Sequence, residues 1–186
     1  MHKHLCPRQV LGVRMGLLAG KMLGLEVPRE DKRLYAFTES DGCFADGLSV
    51  ATGCWLGHRN LRLVDYGKVA ATFVDTESGR ALRIKPRPQA RKLAHSYMPQ
   101  ADDRWHAQLE AYQFIPEEEL LDAEEVTLNV PLDKIISKPG MRVICQQCGE
   151  EVMNEREVNI EGRLFCRGCT ATGESRYYST NCPQTA

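Results

Sequence analysis

Four cysteines in the last quarter of the chain form a pattern that is typical of zinc binding. They stand as two C-x-x-C pairs separated by seventeen residues: Cys145 and Cys148, then Cys166 and Cys169. Each pair places two thiolates on one tight turn, and two turns supply the four soft ligands that zinc takes in a tetrahedron. The spacing predicts a zinc ribbon with a hairpin of strands 158–160 and 163–165. Two disulfides or a redox C-x-x-C pair are the alternatives.

A second group of candidate ligands stands at the start of the chain, in an H-x-H-x-C pattern. Alternate residues of an extended segment point the same way, so His2, His4 and Cys6 are predicted to share one face. Cys6 immediately precedes Pro7, a residue suited to the first position of a helix. Amide donors at a helix start favour a thiolate there, which makes Cys6 a candidate metal ligand or nucleophile.

Two further cysteines extend this group. Cys43 follows an Asp-Gly turn, and Cys54 follows Gly53 at the predicted end of a short helix. Each position would let a thiol reach a cleft, so Cys43 and Cys54 join His2, His4 and Cys6 as a predicted second metal site or active-site cleft. The alternative is that these two cysteines are small apolar fillers in the core, a role that free cysteine often has.

The elements that must position these residues indicate an α+β fold, with an antiparallel sheet and packed helices. Apolar residues recur at helical spacing after Pro7, and Gly24 ends that helix. Tight turns separate three of the strand candidates, 61–65, 68–74 and 81–85, which we interpret as an antiparallel meander. The predicted strands are 33–38, 61–65, 68–74, 81–85 and 126–130. The other predicted helices are 46–53, 89–97, 102–114 and 117–125.

Composition excludes several classes of protein. The chain has 42% apolar and 26% charged residues and a net charge of −1, which fits a folded domain and gives no basic field for nucleic acid or an anionic membrane. Arg14, Lys21 and Glu26 interrupt the most apolar early stretch, so we expect no membrane span and no secretory leader. A cytoplasmic location is therefore expected.

One basic strip is a candidate anion-binding surface. No acidic residue occurs from 79 to 101, and this segment carries a run of cations. The alternative is a solvated face that the acidic segment 117–125 neutralises. The candidate anion ligands are Arg83, Lys85, Arg87 and Arg91.

We predict three regions along the chain. Residues 1–138 form the α+β core domain, residues 139–172 form the zinc ribbon, and residues 173–186 form a flexible tail. The segment 141–176 carries five arginines against six glutamates, a balance that favours a structural or protein-contact role for the ribbon over nucleic-acid binding.

Several short motifs together resemble a known family. They are H-x-H-L-C-P at 2–7, L-G-V-R-M-G at 11–16, D-G-C at 41–43, T-G-C at 52–54 and V-D-Y-G-K at 64–68. The chain resembles the E subunit of formylmethanofuran dehydrogenase, and more closely the stand-alone relatives of that protein that carry a C-terminal zinc finger. Lys3 and Arg8 stand where the family pattern has glycines.

The resemblance implies an α+β core, a homodimer, and a cleft lined by the five His/Cys positions named above. The predicted function is a metal-binding accessory protein linked to molybdenum or tungsten enzymes, one of which is the expected partner. The predicted cofactors are a structural Zn²⁺ and a second metal in the core cleft. Two alternatives are a metal-responsive transcriptional regulator and a cysteine-dependent enzyme that uses Cys6 with His4 as base.

Overall fold

The computed structural model describes residues 4–136 and 140–170. The chain divides into two compact units, with the boundary between Leu132 and Asp133. We call the described residues before this boundary the core unit and those after it the C-terminal unit. Within the described ranges, every helix is too short or too polar to serve as a membrane span.

The core unit combines helices with a five-stranded sheet, which confirms the predicted α+β class. Its described helices are α1 (Pro7–Leu23), α2 (Cys43–Thr52), α3 (Ala90–Tyr97), α4 (Arg104–Phe114) and α5 (Glu117–Leu120). Its strands are β1 (Leu34–Thr38), β2 (Leu61–Leu63), β3 (Ala71–Asp75), β4 (Ala81–Pro86) and β5 (Leu121–Val126).

The sheet has the order β2-β1-β3-β4-β5. The pairs β1–β3, β3–β4 and β4–β5 are antiparallel, and Ala36 lies opposite Phe73 in the first of them. The predicted meander is wrong for β2, which runs parallel to β1 with Ala36 opposite Leu61. Helix α2 lies between these two strands in the chain, and a parallel pair needs such a crossover connection.

The acidic segment after Pro116 differs from the prediction of a helix over 117–125 and a strand over 126–130. Helix α5 ends at Leu120, and β5 follows at once and pairs with β4. Salt bridges between the strands join Arg83 to Glu124 at 3.3 Å and Lys85 to Asp122 at 3.5 Å. The backbone ladder to β4 and the burial of Leu121, supported by these cross-strand pairs, therefore override the local helix preference of the glutamates.

The core lies between the sheet and helix α1. Helix α1 contacts β3 and β4, and helices α2 and α4 pack against α1. The largest fully buried side chains come from all these elements: Met15, Leu34, Phe44, Leu48, Phe73, Ile84, Tyr112, Ile115 and Leu120. This packing fixes the start of α1, the start of α2 and the inner faces of α3 and α4.

A buried carboxylate connects the end of β3 to the segment before β1. Asp75 accepts hydrogen bonds from Arg33 Nε at 2.8 Å and Nη2 at 3.0 Å, and from Ser78 Oγ at 2.6 Å. The hydrogen bond from Arg33 is the main cause that holds the pKa of Asp75 well below its usual range. Asp75 is therefore ionised throughout the neutral range and joins β1 to the β3–β4 turn.

We expect Asp75→Asn to lower the free energy of unfolding of the core unit by about 2 kcal/mol at pH 7. The folded pKa lies below the unfolded one, so the contribution is complete above roughly pH 5 and is lost as pH falls through about 3.9 toward the folded pKa. Both tryptophans of the chain, Trp55 and Trp105, lie in the core unit, so their fluorescence during urea unfolding measures this quantity.

The control is Glu77→Gln, which removes the same charge from a residue that pairs with Arg33 but is 68% exposed. We expect this variant to change the free energy of unfolding by less than about 1 kcal/mol, as exposed pairs do. The role of Asp75 as a stabilising buried carboxylate would be contradicted if Asp75→Asn and Glu77→Gln lowered the free energy of unfolding equally. It would also be contradicted if the destabilisation by Asp75→Asn did not become smaller at acidic pH.

The C-terminal unit is built from short hairpins. Strand β6 (Arg142–Ile144) pairs with β7 (Glu151–Met153), and β8 (Val158–Ile160) pairs with β9 (Arg163–Phe165), so the predicted hairpin is confirmed. A 3-10 turn follows at Arg167–Cys169, and a one-turn helix, α6 (Leu132–Ile135), spans the boundary with the core unit. The predicted tail, 173–186, lies outside the described residues.

Candidate functional site

The C-terminal unit gathers four thiols. The sulfur atoms of Cys145, Cys148, Cys166 and Cys169 all lie within 4.8 Å of one another. Cys148 Sγ and Cys166 Sγ are 3.9 Å apart, close to the ~3.8 Å that separates two sulfurs on a tetrahedral zinc with bonds of about 2.3 Å. Every described cysteine is free of disulfides. The donor set therefore fits a four-coordinate soft metal.

Two tight turns present these thiols. Gly149 N–H donates to Cys145 O at 2.9 Å, and Cys169 N–H donates to Cys166 O at 3.1 Å. Gly149 has φ of 75°, a left-handed backbone conformation that side chains disfavour, which explains the glycine directly after the first pair. The hairpin order places the first turn between β6 and β7 and the second directly after β9.

The thiols of this cluster differ in acidity. Burial opposes ionisation of Cys145, but hydrogen bonds from the backbone amides of Cys148, Cys166 and Gln147 lower its pKa to about 6. Burial and the neighbouring Cys166 thiol raise the pKa of Cys169. The metal-free cluster thus favours a thiolate at Cys145, stabilised by amides, over one at Cys148 or Cys169, whose pKa values are raised.

The core unit has a cavity of about 640 Å³ that contains the predicted residues at the two helix starts. We call it the thiol cavity. Cys6 is the N-cap of α1, and Cys43 is the first residue of α2. Because both helix N-termini face the thiols with their amide dipoles, each thiol lies in a region of positive potential. The lining residues used below are His4, Cys6, Arg8, Cys43, Arg87, Arg91, Trp105, Gln108 and Tyr112.

Local interactions fix Cys6, while Cys43 depends on packing between helices. Cys6 N–H donates to Gln9 Oε1 at 2.9 Å, which closes the start of α1. Burial raises the pKa of Cys43, and a hydrogen bond with Cys6 raises it further, while the charge of Arg8 acts in the opposite direction. The Cys43 thiol is therefore protonated at neutral pH unless a metal or another electrophile displaces the proton.

His4 belongs to the same cavity but does not complete a ligand set with the two thiols. Among residues 4–136 and 140–170, the C-terminal thiols form the one group of three or more metal-ligating side chains. His2 lies outside the described residues. A metal in the thiol cavity would therefore take Cys6 and Cys43 as protein ligands and further ligands from a bound molecule or water.

The structure does not bring Cys54 to this cavity. Its side chain is fully buried among core residues, and its thiol donates to Leu34 O at 3.4 Å. Burial raises the pKa of Cys54 to about 11. The T-G-C segment is explained by packing instead: Gly53 has φ of 74° at the end of α2 and touches the backbone of Arg29.

The four candidate anion ligands separate into two pairs. Arg83 forms hydrogen-bonded ion pairs with Glu39 at 2.6 and 2.8 Å and with Glu124, and Lys85 pairs with Asp122. Those two cations are neutralised within the sheet. Arg87 and Arg91 line the thiol cavity instead, and Arg87 Nε also donates to Leu121 O at 3.1 Å.

The wall of the cavity that α4 supplies was not predicted from the sequence. Trp105, Gln108 and Tyr112 lie on this helix, and Arg14 of α1 holds its C-terminal end by donating to Tyr112 O at 2.8 Å and Ile115 O at 2.9 Å. The sequence did contain a signal for the packing of this helix, because α3 and α4 each have two alanines four residues apart. These alanines are buried and permit close packing of α3 with α4: Ala90, Ala94, Ala107 and Ala111.

Residues 1–137 match the family model described as FmdE, Molybdenum formylmethanofuran dehydrogenase operon. An 86-residue stretch, 45% of the chain, is 38% identical to a protein of Archaeoglobus fulgidus described as a probable S-adenosyl-L-methionine-binding protein. The match spans 24% of that relative's length.

A crystal structure from Syntrophus aciditrophicus has a similar fold, with a TM-score of 0.56 and 22% sequence identity. The similarity covers 92% of this chain and 86% of the other. That protein is described as FmdE-like, after the E subunit of a tungsten formylmethanofuran dehydrogenase.

Proposed function

Because the chain belongs to the FmdE family, we propose that it is a metal-binding accessory protein that serves a molybdenum or tungsten enzyme. The observation that carries metal binding is the set of four thiols within 4.8 Å in the C-terminal unit. We assign zinc to this set because four thiolates in a tetrahedron are a closed, structural zinc site. The family description and the tungsten relative support the link to molybdenum or tungsten.

The two metal-binding places have different tasks in this proposal. All four coordination positions of the zinc in the C-terminal unit are filled by protein thiolates, so its role is structural. The thiol cavity offers Cys6 and Cys43, and leaves the other positions of a bound metal open. Thiolates prefer soft metals, and both thiols must release their protons on binding.

The charges around the thiol cavity favour a metal that arrives in an anionic form. Arg8, Arg87 and Arg91 line the cavity, and no carboxylate is found among the described residues of its lining. A bare divalent cation is repelled by this lining, whereas a molybdenum or tungsten oxyanion, or an anionic complex of these metals, is attracted. Arginine also donates paired hydrogen bonds to the oxygens of such anions.

We expect the full chain, reconstituted with zinc and then with molybdate or tungstate under thiol-reducing conditions, to retain two metals after desalting. Cys6→Ser and Cys43→Ser should each remove the molybdenum or tungsten and leave the zinc, because each substitution deletes one of the two thiolate ligands that the cavity offers and touches none of the four clustered thiols. Mass-spectrometric metal analysis of each variant measures both occupancies in one sample.

The matched control is Cys54→Ala, which deletes a thiol that faces the core and not the cavity. It should keep both metals, provided that its tryptophan fluorescence shows a folded core unit. Zinc alone in the wild-type protein would overturn the second site and leave the structural one. Loss of the second metal in Cys54→Ala would mean that our assignment of the ligands is wrong.

The two alternative functions require properties that the geometry does not favour. A cysteine nucleophile must be reached by its substrate, whereas the proposed nucleophile Cys6 is only 7% exposed, and the neighbouring Cys43 has a pKa that burial raises. A DNA-binding ribbon needs a cluster of cations, whereas the ribbon interleaves arginines with glutamates. Fast labelling of Cys6 or Cys43 by a thiol reagent, or salt-sensitive DNA binding, would support those alternatives.

The A. fulgidus match makes S-adenosylmethionine a second candidate ligand. This molecule carries a sulfonium and an ammonium group, which the three arginines of the cavity repel. We therefore favour the anionic metal species. A homodimer, an enzyme partner that contains molybdenum or tungsten, and a cytoplasmic location complete the proposal as predictions from sequence.

A further inference from the structure

A second cavity of about 540 Å³ lies between α3 and α4 of the core unit. We call it the α3–α4 cavity. Its lining is basic: the part of the chain that the structure describes contributes three permanent cations, one histidine and no acidic residue. The lining residues are Arg91, Lys92, His95, Arg104, Ala107 and Gln108.

These cations lack the acidic partners that neutralise the rest of the basic strip. Within the described ranges, no carboxylate lies at ion-pair distance from Arg91, Lys92 or Arg104, although Arg83 and Lys85 each have such partners. Arg91 and His95 are four residues apart on α3 and therefore share one face of the helix. Clustered like charges repel, so this cavity is stabilised by an anion that enters it.

The α3–α4 cavity and the thiol cavity share two lining residues, Arg91 and Gln108. Trp105 follows Arg104 on α4, lines the thiol cavity and is 41% exposed. A ligand that occupies both cavities therefore meets cations at one end and an aromatic ring beside them.

We propose that the α3–α4 cavity binds the phosphoryl group of a small-molecule ligand whose flat ring lies against Trp105. Arginines favour phosphoryl oxygens because the guanidinium donates paired hydrogen bonds, and three cations match a group that carries two or more negative charges. Aromatic side chains bind flat heterocycles by stacking. The cavity is small, and the chain has a net charge of −1, so an extended nucleic acid is disfavoured. This site does not depend on metal binding by Cys6 and Cys43.

Calorimetric titration of the full chain with pyrophosphate tests the phosphoryl subsite. We expect a dissociation constant below about 1 mM, and the affinity should fall as salt is added. Arg91→Gln and Arg104→Gln should each weaken binding by roughly tenfold or more, the usual loss for one charged hydrogen-bonding group. Lys21→Gln is the control, because it removes one exposed positive charge outside both cavities.

Guanosine diphosphate tests the ring subsite, because it adds a flat base to the same phosphates. We expect it to bind roughly tenfold more tightly than pyrophosphate, and Trp105→Ala to remove that advantage. Measured in a Trp55→Phe background, the remaining tryptophan fluorescence should be quenched on binding. A nucleotide that binds no more tightly than pyrophosphate would overturn the ring subsite.

The phosphoryl subsite would be overturned if the protein did not bind pyrophosphate at about 1 mM. It would also be overturned if Lys21→Gln lost as much affinity for pyrophosphate as Arg91→Gln and Arg104→Gln. Cys6→Ser separates this inference from the proposed function. The variant should lose the second metal and keep its affinity for pyrophosphate. Loss of both would show that the ligand is held through the thiols and not by α3 and α4.

Discussion

Cys166→Ser will unfold the C-terminal unit and leave the core unit folded. The described part of this unit has three buried residues, Cys145, Phe165 and Thr170, and strands of three residues each. So small an apolar core cannot offset the conformational entropy of ordering the chain. In structural zinc sites the metal contributes on the order of 10 kcal/mol to folding, and this contribution is lost with one thiolate.

Two-dimensional amide NMR measures the effect directly. The amide signals of residues 140–170 should collapse into the narrow range of an unfolded chain in Cys166→Ser, and metal analysis should show loss of zinc. Removing zinc from the wild-type protein with a chelator should produce the same spectrum, since the metal and the fold of this unit are linked.

Cys43→Ser is the matched control, because it replaces a thiol of the core unit and touches none of the four clustered cysteines. Its C-terminal amide signals should stay dispersed. The assignment of a structural metal would be wrong if Cys166→Ser retained dispersed signals, since the hairpins would then be stable without the fourth thiolate.

The two sites differ in how much of each could be predicted from the sequence. The C-terminal cluster depends on two local turns, so its spacing identified all four cysteines. The thiol cavity depends on where helices cross. Cys6 and Cys43 were predicted because each stands beside a turn or helix start, but Cys54 has the same local features and lies in the core. Local pattern does not distinguish a thiol that faces a cavity from one that faces the sheet.

The errors in the predicted fold have the same origin. Strand β2 pairs with β1 because α2 returns the chain to that edge, and β5 forms because it pairs with β4 along its length and buries Leu121. Both depend on contacts between distant segments, which local propensity does not contain. The glycines at four-residue spacing in α1 were an overlooked signal, since Gly12 and Gly16 lie against α2.

Gly47→Ala will disrupt the α1–α2 crossing on which the thiol cavity depends. A Cβ at Gly47 would lie 2.2 Å from Gln9 O, a backbone atom of α1. Because a helical backbone cannot yield locally, the two helices must separate. We expect the free energy of unfolding of the core unit to fall by about 3 kcal/mol, the upper part of the usual range for overpacking.

Gly57→Ala is the control, because its added Cβ would meet no atom within 4 Å. It should change the free energy of unfolding by less than about 0.5 kcal/mol. Urea unfolding followed by tryptophan fluorescence compares the two variants. If Gly47→Ala and Gly57→Ala had similar free energies of unfolding, the backbones of α1 and α2 would not be in close contact at Gly47.

Gly47→Ala also has an expected effect on metal binding, because Cys6 starts α1 and Cys43 starts α2. Separating the helices moves the two thiols apart, so a metal held by both must be lost, whereas the four clustered thiols lie in the other unit. Gly47→Ala, studied under conditions where it is folded, should therefore retain zinc and lose the second metal, while Gly57→Ala retains both. Retention of both metals by folded Gly47→Ala would show that Cys6 and Cys43 do not bind one metal together.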